Sequence, residues 1–363
     1  MFDWIPIESY TPIQYHVLFV IALLITFHAL IFDVHDEQSV NFFYSFGYVI
    51  VIIYILYMGL RPLGGDDFGD SDTYAKIYSY MQQGGAVVIN KDYLFNYLMK
   101  ICSYFVDIHS FFLIIDVLYV LPCYFFARKY FGKYWFFAVF MFISSFSFWS
   151  YGTNGLRNGV ATAFFIMGLY FYDRKNWMYF WFALGYFMHA SLVIPLAAFI
   201  VSGIYKNPKI YVYIWIIAIP LSLVGGGFWS NLFASLGLAD RTSGYLTNSE
   251  RNLEQFSQTG FRWDFLMYSA SAVFTGAFFI FKKKITDPFY IHVFGIYCIA
   301  NAFWILVITA AFSNRFAYLS WFLMPVIFAY PIFRYKIWKE QYKIFGAILF
   351  LYFMFTYYMN VIK

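Results

Sequence analysis

The sequence predicts an all-α polytopic membrane protein with about 10–12 transmembrane helices, a broken helix pair among them. Three observations carry this reading. Only 12% of the residues are charged, about half the usual fraction in a soluble domain, while 62% are hydrophobic. Apolar stretches near the roughly 20 residues that cross a bilayer recur along the whole length. Lysines and arginines gather in short clusters between those stretches, as membrane insertion sorts them. No composition shift marks a domain boundary, so residues 1–363 read as one integral unit, with outer loops 61–107 and 225–262 expected to cover a site.

The amino-terminal stretch "MFDWIPIESYTPIQYHVLF" carries Asp3 and Glu8 where a signal peptide carries cations, so the first apolar run reads as a retained span. Apolar runs bounded by charge then place spans at 14–32, 42–60, 108–127, 134–151, 155–172, 210–224, 263–281, 289–312, 316–333 and 344–359. Two segments differ. Residues 93–106, "YLFNYLMKICSYFV", are short and interrupted by Lys100, which suits an amphipathic helix at the interface or a re-entrant one. Residues 177–203 are nearly uncharged, with "GYFMHAS" in the middle and basic clusters on both sides. If both clusters stay cytoplasmic, the stretch enters and returns as two half-helices with His189 near the turn.

The clusters at 127–133, 173–176, 205–209, 282–284 and 334–343 alternate correctly if all are cytoplasmic. Residues 61–107, 152–157, 225–262 and 313–315 then face outward with both termini; the acidic turn "DVHDEQ" at 33–38 runs against this scheme. The net charge of +5 follows from these loops and does not point to nucleic acid. Cys102, Cys123 and Cys298 lie in apolar surroundings without metal or redox spacing and read as small buried hydrophobes. Lysines fall mostly on the cytoplasmic side. Arg61, Arg157, Arg241, Arg251, Arg262 and Arg315 fall outside, which insertion bias does not explain. A guanidinium grips phosphate oxygens with a planar fork that lysine lacks, so the outer face reads as built for a phosphorylated group.

Arg157 opens a helix of small residues behind "GTNG", where free backbone N–H groups already favour an anion. The alternative is an interfacial arginine reaching lipid headgroups. Arg315, in "AFSNRFAYLSW", opens another span on the same side, either with the same anion or as a lipid anchor. His189 is either a packing residue or a base meeting a sugar hydroxyl. The segment "GLRPLGGDDFGDSDTYAKIYSY" sets Arg61 and Tyr74 beside Asp66, Asp67, Asp70 and Asp72. A solvated loop, carboxylates for sugar hydroxyls and carboxylates that orient a nucleophile all fit; a calcium loop of EF-hand type does not, because its glycine and terminal glutamate are missing. The loop 225–262 mixes Arg241, Arg251 and Arg262 with aromatic and amide residues suited to sugar rings, although an ordinary extracellular loop has the same composition. Asp116, the carboxylate inside a span, is either a proton relay or hydrogen-bonded structure.

The motifs "LRPLGGDDFGDSDTY", "GLRNGVA", "YFMHASLVIPL" and "NRFAYLSWFLMP", in this order from about residue 40 to 335, resemble the EpsG family of bacterial polysaccharide polymerases, related in role to the Wzy O-antigen polymerases. Relatives commonly carry Arg-Gln where Arg157-Asn158 stands here, and a glutamate near Asp92. The resemblance implies a cofactor- and metal-independent glycosyltransferase of GT-C type. It would join oligosaccharide repeat units carried on undecaprenyl pyrophosphate at the periplasmic face of the bacterial inner membrane, among membrane lipids and with a chain-length regulator protein as partner. Arg157 and Arg315 would then hold the pyrophosphate. His189 or an aspartate, Asp66 or Asp72, would serve the attacking hydroxyl, with Arg61, Tyr74, Asn158 and the loop arginines on the substrate. An O-antigen ligase shares this layout, and a lipid-linked glycan flippase is the non-enzymatic alternative. A transporter would concentrate polar groups at the bilayer midplane, whereas here the cations collect at one face.

Overall fold

In the computed structural model the described residues are 2, 4–33, 36–65, 67–86, 89, 91–235, 260–310 and 313–363, and they form helices and no strands. The chain divides into two compact units, Met1–Leu192 with Ile332–Lys363, and Val193–Pro331. A uniformly apolar sequence carries no linker signal for such a division.

The first unit contains α1 (Ile7–Ile31), α2 (Glu37–Gly59), α3 (Gly69–Gln82), α4 (Tyr93–Ser103), α5 (Ile108–Phe131), α6 (Trp135–Ile143), α7 (Phe148–Thr153), α8 (Leu156–Tyr170) and α9 (Lys175–Met188). The second contains α10 (Val193–Ile204), α11 (Pro208–Ser235), α12 (Trp263–Ala277), α13 (Pro288–Leu306) and α14 (Asn314–Trp321); α15 (Met324–Arg334) leads back into the first, which α16 (Gln341–Tyr357) completes. Local chemistry sets several starts. Asp36, Asp107 and Asp287 cap α2, α5 and α13 by accepting from backbone N–H groups of the first turn, at 2.7–3.1 Å. Pro288 stands in the first turn of α13, where its missing N–H costs nothing.

Eight helical segments among the described residues are long and apolar enough to cross a membrane, so the protein is polytopic. The predicted span 134–151 is interrupted. Ser144, Ser145 and Ser147 stand between α6 and α7, and the Ser144 hydroxyl bonds back to the Met141 carbonyl, a competition with the helical ladder that serines favour. α6 instead continues from α5 through a turn at residues 132–134, and all nine of its residues are buried. The predicted span 155–172 becomes α8, whose 15 residues reach about 22 Å, less than the roughly 30 Å hydrocarbon core.

α5 is the spine of the first unit and packs against α2, α6 and α8; α8 in turn packs on α9. α1 pairs with α16, and His28 and His16 are hydrogen-bonded to Tyr342 and Tyr357 at 3.0 and 2.8 Å. In the second unit α13 packs against α10, α11 and α14. Its buried Asn301 accepts from Trp215 at 2.7 Å and donates to Ser320 at 2.9 Å. Its amide is thus satisfied within the second unit, as buried polar groups are.

Candidate active site

Three turns of the first unit meet at one place. The first is the glycine loop ahead of α3. Gly64 and Gly65 take φ of 78° and 72°, which a side chain would resist, and a Cβ on Gly65 would stand 2.8 Å from Ile7. The loop folds back so that Phe68 is buried edge-on against Tyr10, 5.8 Å between ring centres. α3 then carries Tyr74 to the edge of Phe95 on α4, at 5.5 Å.

The second turn joins α7 to α8. Asn154 donates to the Asp67 carbonyl at 2.6 Å, and the close approach of α8 to α7 requires Gly159, where a Cβ would lie 2.7 Å from the Tyr151 carbonyl oxygen. Arg157 and Asn158 occupy the first turn of α8. The third turn is the break after α9. His189 leaves the helix in extended conformation, φ −158° and ψ 126°, followed by a short turn at Ala190–Leu192. The helix break expected at this histidine is therefore present.

Asp92 ties the turns together. It precedes α4 in the left-handed region, φ 49° and ψ 47°, a conformation aspartate tolerates better than most residues. Aspartate there would ordinarily cap its own helix, but no such hydrogen bond forms. Its carboxylate is used elsewhere. Oδ2 accepts from Arg157 Nη1 at 2.5 Å, and Oδ1 pairs with His189 Nδ1 at 2.8 Å. The Asp92 side chain is 2% exposed, against 16% for Arg157 and 24% for His189, so the acid is sealed beneath two groups that reach the surface.

Burial works to raise the Asp92 pKa, and the hydrogen bond and charge of His189, then the charge of Arg157 and the Ala190 N–H, outweigh it and bring it to about 2. The group is ionised at neutral pH and can only accept. Nδ1 of His189 must therefore be the donor, and in the neutral ring the lone pair sits on Nε2. Among the described residues Nε2 has no hydrogen-bond partner. A guanidinium carries five N–H donors, and Arg157 spends one of them on Asp92, so it retains capacity for an incoming oxyanion.

A pH dependence follows. The folded pKa lies below the ordinary value of 3.8, so Asp92 contributes stability above about pH 4 that is lost as pH falls from there to about 2. Thermal melts of the purified protein between pH 6 and pH 2.5 should fall less steeply for Asp92→Asn than for the natural chain, and parallel slopes would contradict the assignment.

The other sequence candidates lie elsewhere. Arg61, expected on the substrate, is fully buried. Its Nη1 bonds to Asp116 Oδ2 at 3.0 Å and to the Met58 carbonyl at 2.9 Å, and its guanidinium stacks over Phe112 at 4.4 Å. A cation at the end of α2 reads as surface-facing, but α5 supplies a counter-charge that draws it inward. Asp116, the carboxylate inside a span, is thereby the ion-pair partner of Arg61. Removing one member of such a pair strands the other, at a cost of about 3–5 kcal/mol. Asp116→Leu alone should therefore lower thermal stability sharply, whereas Arg61→Met with Asp116→Leu should regain most of it; equal melting temperatures for the two variants would refute the pairing argument.

Asp72, expected near the nucleophile, lies on a half-exposed face of α3 paired with Lys76 at 2.6 Å, an ordinary i, i+4 pair. Asp66, Arg241 and Arg251 lie outside the described residues. Arg262 turns its fork onto Asp264 at 2.9 and 2.7 Å and covers Phe265, so a neighbour two residues away occupies the donors expected to hold phosphate. Arg315 stands exposed in the first turn of α14, in the second unit. Tyr74 and Asn158 are in the first unit beside Arg157, as described. Among the described residues no group of three histidines, cysteines or acids is placed to hold a metal ion. Sequence reasoning missed Asp92 as a site residue, although it stands directly before the predicted interfacial helix. That helix is α4, with Phe95, Met99 and Cys102 buried and Tyr93, Tyr97, Lys100 and Ile101 exposed.

A model of the EpsG family matches residues 46–363, a range that includes every residue of this cluster. The chain belongs to the EpsG family. Members of the EpsG family are Wzy-like polysaccharide polymerases, which makes this chain a multi-pass membrane protein of polysaccharide biosynthesis with a polymerase-like activity. No curated protein and no solved structure shows a significant match.

Proposed function

We propose that this EpsG protein is a glycosyltransferase that joins oligosaccharide repeat units carried on undecaprenyl pyrophosphate, at the periplasmic face of the bacterial inner membrane. The observation that carries the reading is the single buried carboxylate of Asp92, which holds a guanidinium and an imidazole side by side at the surface of the first unit. Each suits one half of a glycosyl transfer from a lipid diphosphate. The bond between the anomeric carbon and the phosphate oxygen breaks, and the pyrophosphate leaves with the electron pair; Arg157 stabilises that developing charge. The acceptor hydroxyl oxygen forms the new bond to the anomeric carbon and gives its proton to His189 Nε2. Asp92 fixes the tautomer and stabilises the imidazolium that results. The donor brings its own activated bond, so the chemistry asks for no nucleotide or metal.

The test is reconstitution in liposomes with one purified lipid-linked repeat unit. Glycans longer than one unit and released undecaprenyl pyrophosphate are expected. Flipping of the lipid with neither product would replace this reading with the flippase, and transfer to lipid A core supplied in the same liposomes, without any longer glycan, would replace it with the ligase. In the same assay His189→Gln keeps a hydrogen-bonding group but no base, and turnover should fall on the order of 10²- to 10⁴-fold. Undiminished turnover would return His189 to a packing role.

A further inference from the structure

The first turn of α8 and the turn after α9 are joined twice. Arg157 and His189 meet through Asp92, and one residue along the helix the Ser191 hydroxyl donates to Asn158 Oδ1 at 2.6 Å. The second connection is uncharged, half-buried and adjacent to the first. Because Oδ1 is taken by Ser191, the amide is held one way round and its NH2 is turned from Ser191. Among the described residues neither side chain makes any other hydrogen bond.

We propose that Asn158 and Ser191 form a subsite for a neutral sugar hydroxyl of the acceptor glycan, beside the charged site. The proposal rests on the polymerase reading above and adds the part of the substrate that the charged groups do not address. An oriented amide NH2 and a hydroxyl oxygen with spare lone pairs present a donor and an acceptor together, which is what a sugar hydroxyl needs, since it both accepts and donates. A phosphate is served less well, because the Ser191 oxygen already spends its proton on Asn158 and turns lone pairs toward any anion. Arg157, one residue away, takes the anion. The arrangement sorts the ligand by charge along one turn of α8, and Ser191 acts as a positioning residue that sets the direction of the amide.

The experiment measures binding of two probes to the full-length protein in lipid nanodiscs. One is the lipid-free oligosaccharide released by mild acid from the host's own lipid-linked repeat unit; the other is inorganic pyrophosphate. Ser191→Ala and Asn158→Ala should each weaken oligosaccharide binding about 5-fold, the scale of one neutral hydrogen bond, and leave pyrophosphate binding within about 2-fold. Ser191→Thr, which keeps the hydroxyl, should bind as the natural chain does. Unchanged oligosaccharide binding in both alanine variants, equal weakening of both probes, or no oligosaccharide binding by the natural chain would overturn the subsite. Arg157→Ala in the same series examines the underlying reading separately. Loss of pyrophosphate binding with oligosaccharide binding retained supports it, and retained pyrophosphate binding refutes the charged site whatever Ser191 does.

Discussion

Asp92→Asn is expected to cut polymer synthesis in reconstituted liposomes on the order of 10²-fold or more, with the protein still inserted and folded. The change is nearly isosteric and leaves α4 without any lost cap, because the Asp92 side chain caps nothing. It removes the negative charge that both Arg157 and His189 face at 2.5 and 2.8 Å. An amide also has a donor end, which can present N–H to His189 Nδ1, and the ring would then carry its proton on Nε2. A base would become a donor at the atom that must receive the acceptor's proton. Full-length polymer at the normal rate from this variant would mean that Asp92 only fastens α4 to its neighbours.

Arg157→Ala is expected to lower the single-turnover rate on the order of 10²- to 10³-fold, the effect of losing one preorganised donor to a developing oxyanion. Lysine should restore only part of this, since a point charge keeps the electrostatic term but loses the fork that serves Asp92 and the phosphate together. Measured release of undecaprenyl pyrophosphate separates the two cases. A lysine variant as active as the natural chain would show that charge alone is needed there, and an active alanine variant would remove Arg157 from the site.

Much of the fold was legible because bilayer thickness leaves few options: apolar length predicts spans and basic clusters predict the turns between them. The errors have local causes. The run 134–151 is apolar enough to read as a span, but the helix breaks between Ile143 and Phe148, where the Ser144 hydroxyl bonds back to Met141, and α6 is buried along its whole length instead of being half lipid-facing. His189 and Arg157, which the fold brings together at Asp92, stood out in the sequence because a histidine in an uncharged stretch and an arginine behind a glycine break are both costly to place.

Asp92 was not legible as a site residue, since an aspartate before a helix has an ordinary local use as a cap and only the fold reveals that it does something else. Arg61 misled for the opposite reason. Its position in sequence is that of a surface cation, and its burial depends on Asp116, 55 residues away. Ser191 gave no sequence signal, as what sets it apart is a hydrogen bond to Asn158 that only the fold brings about.

A double-mutant cycle tests whether Asp92 and His189 work as one unit. Single-turnover rates would be measured for the natural chain, Asp92→Asn, His189→Gln and the double variant in proteoliposomes holding one lipid-linked repeat unit. If Asp92 acts through His189, the double variant should be no slower than the slower single variant. Losses that multiply would show two independent contributions and contradict the coupled site.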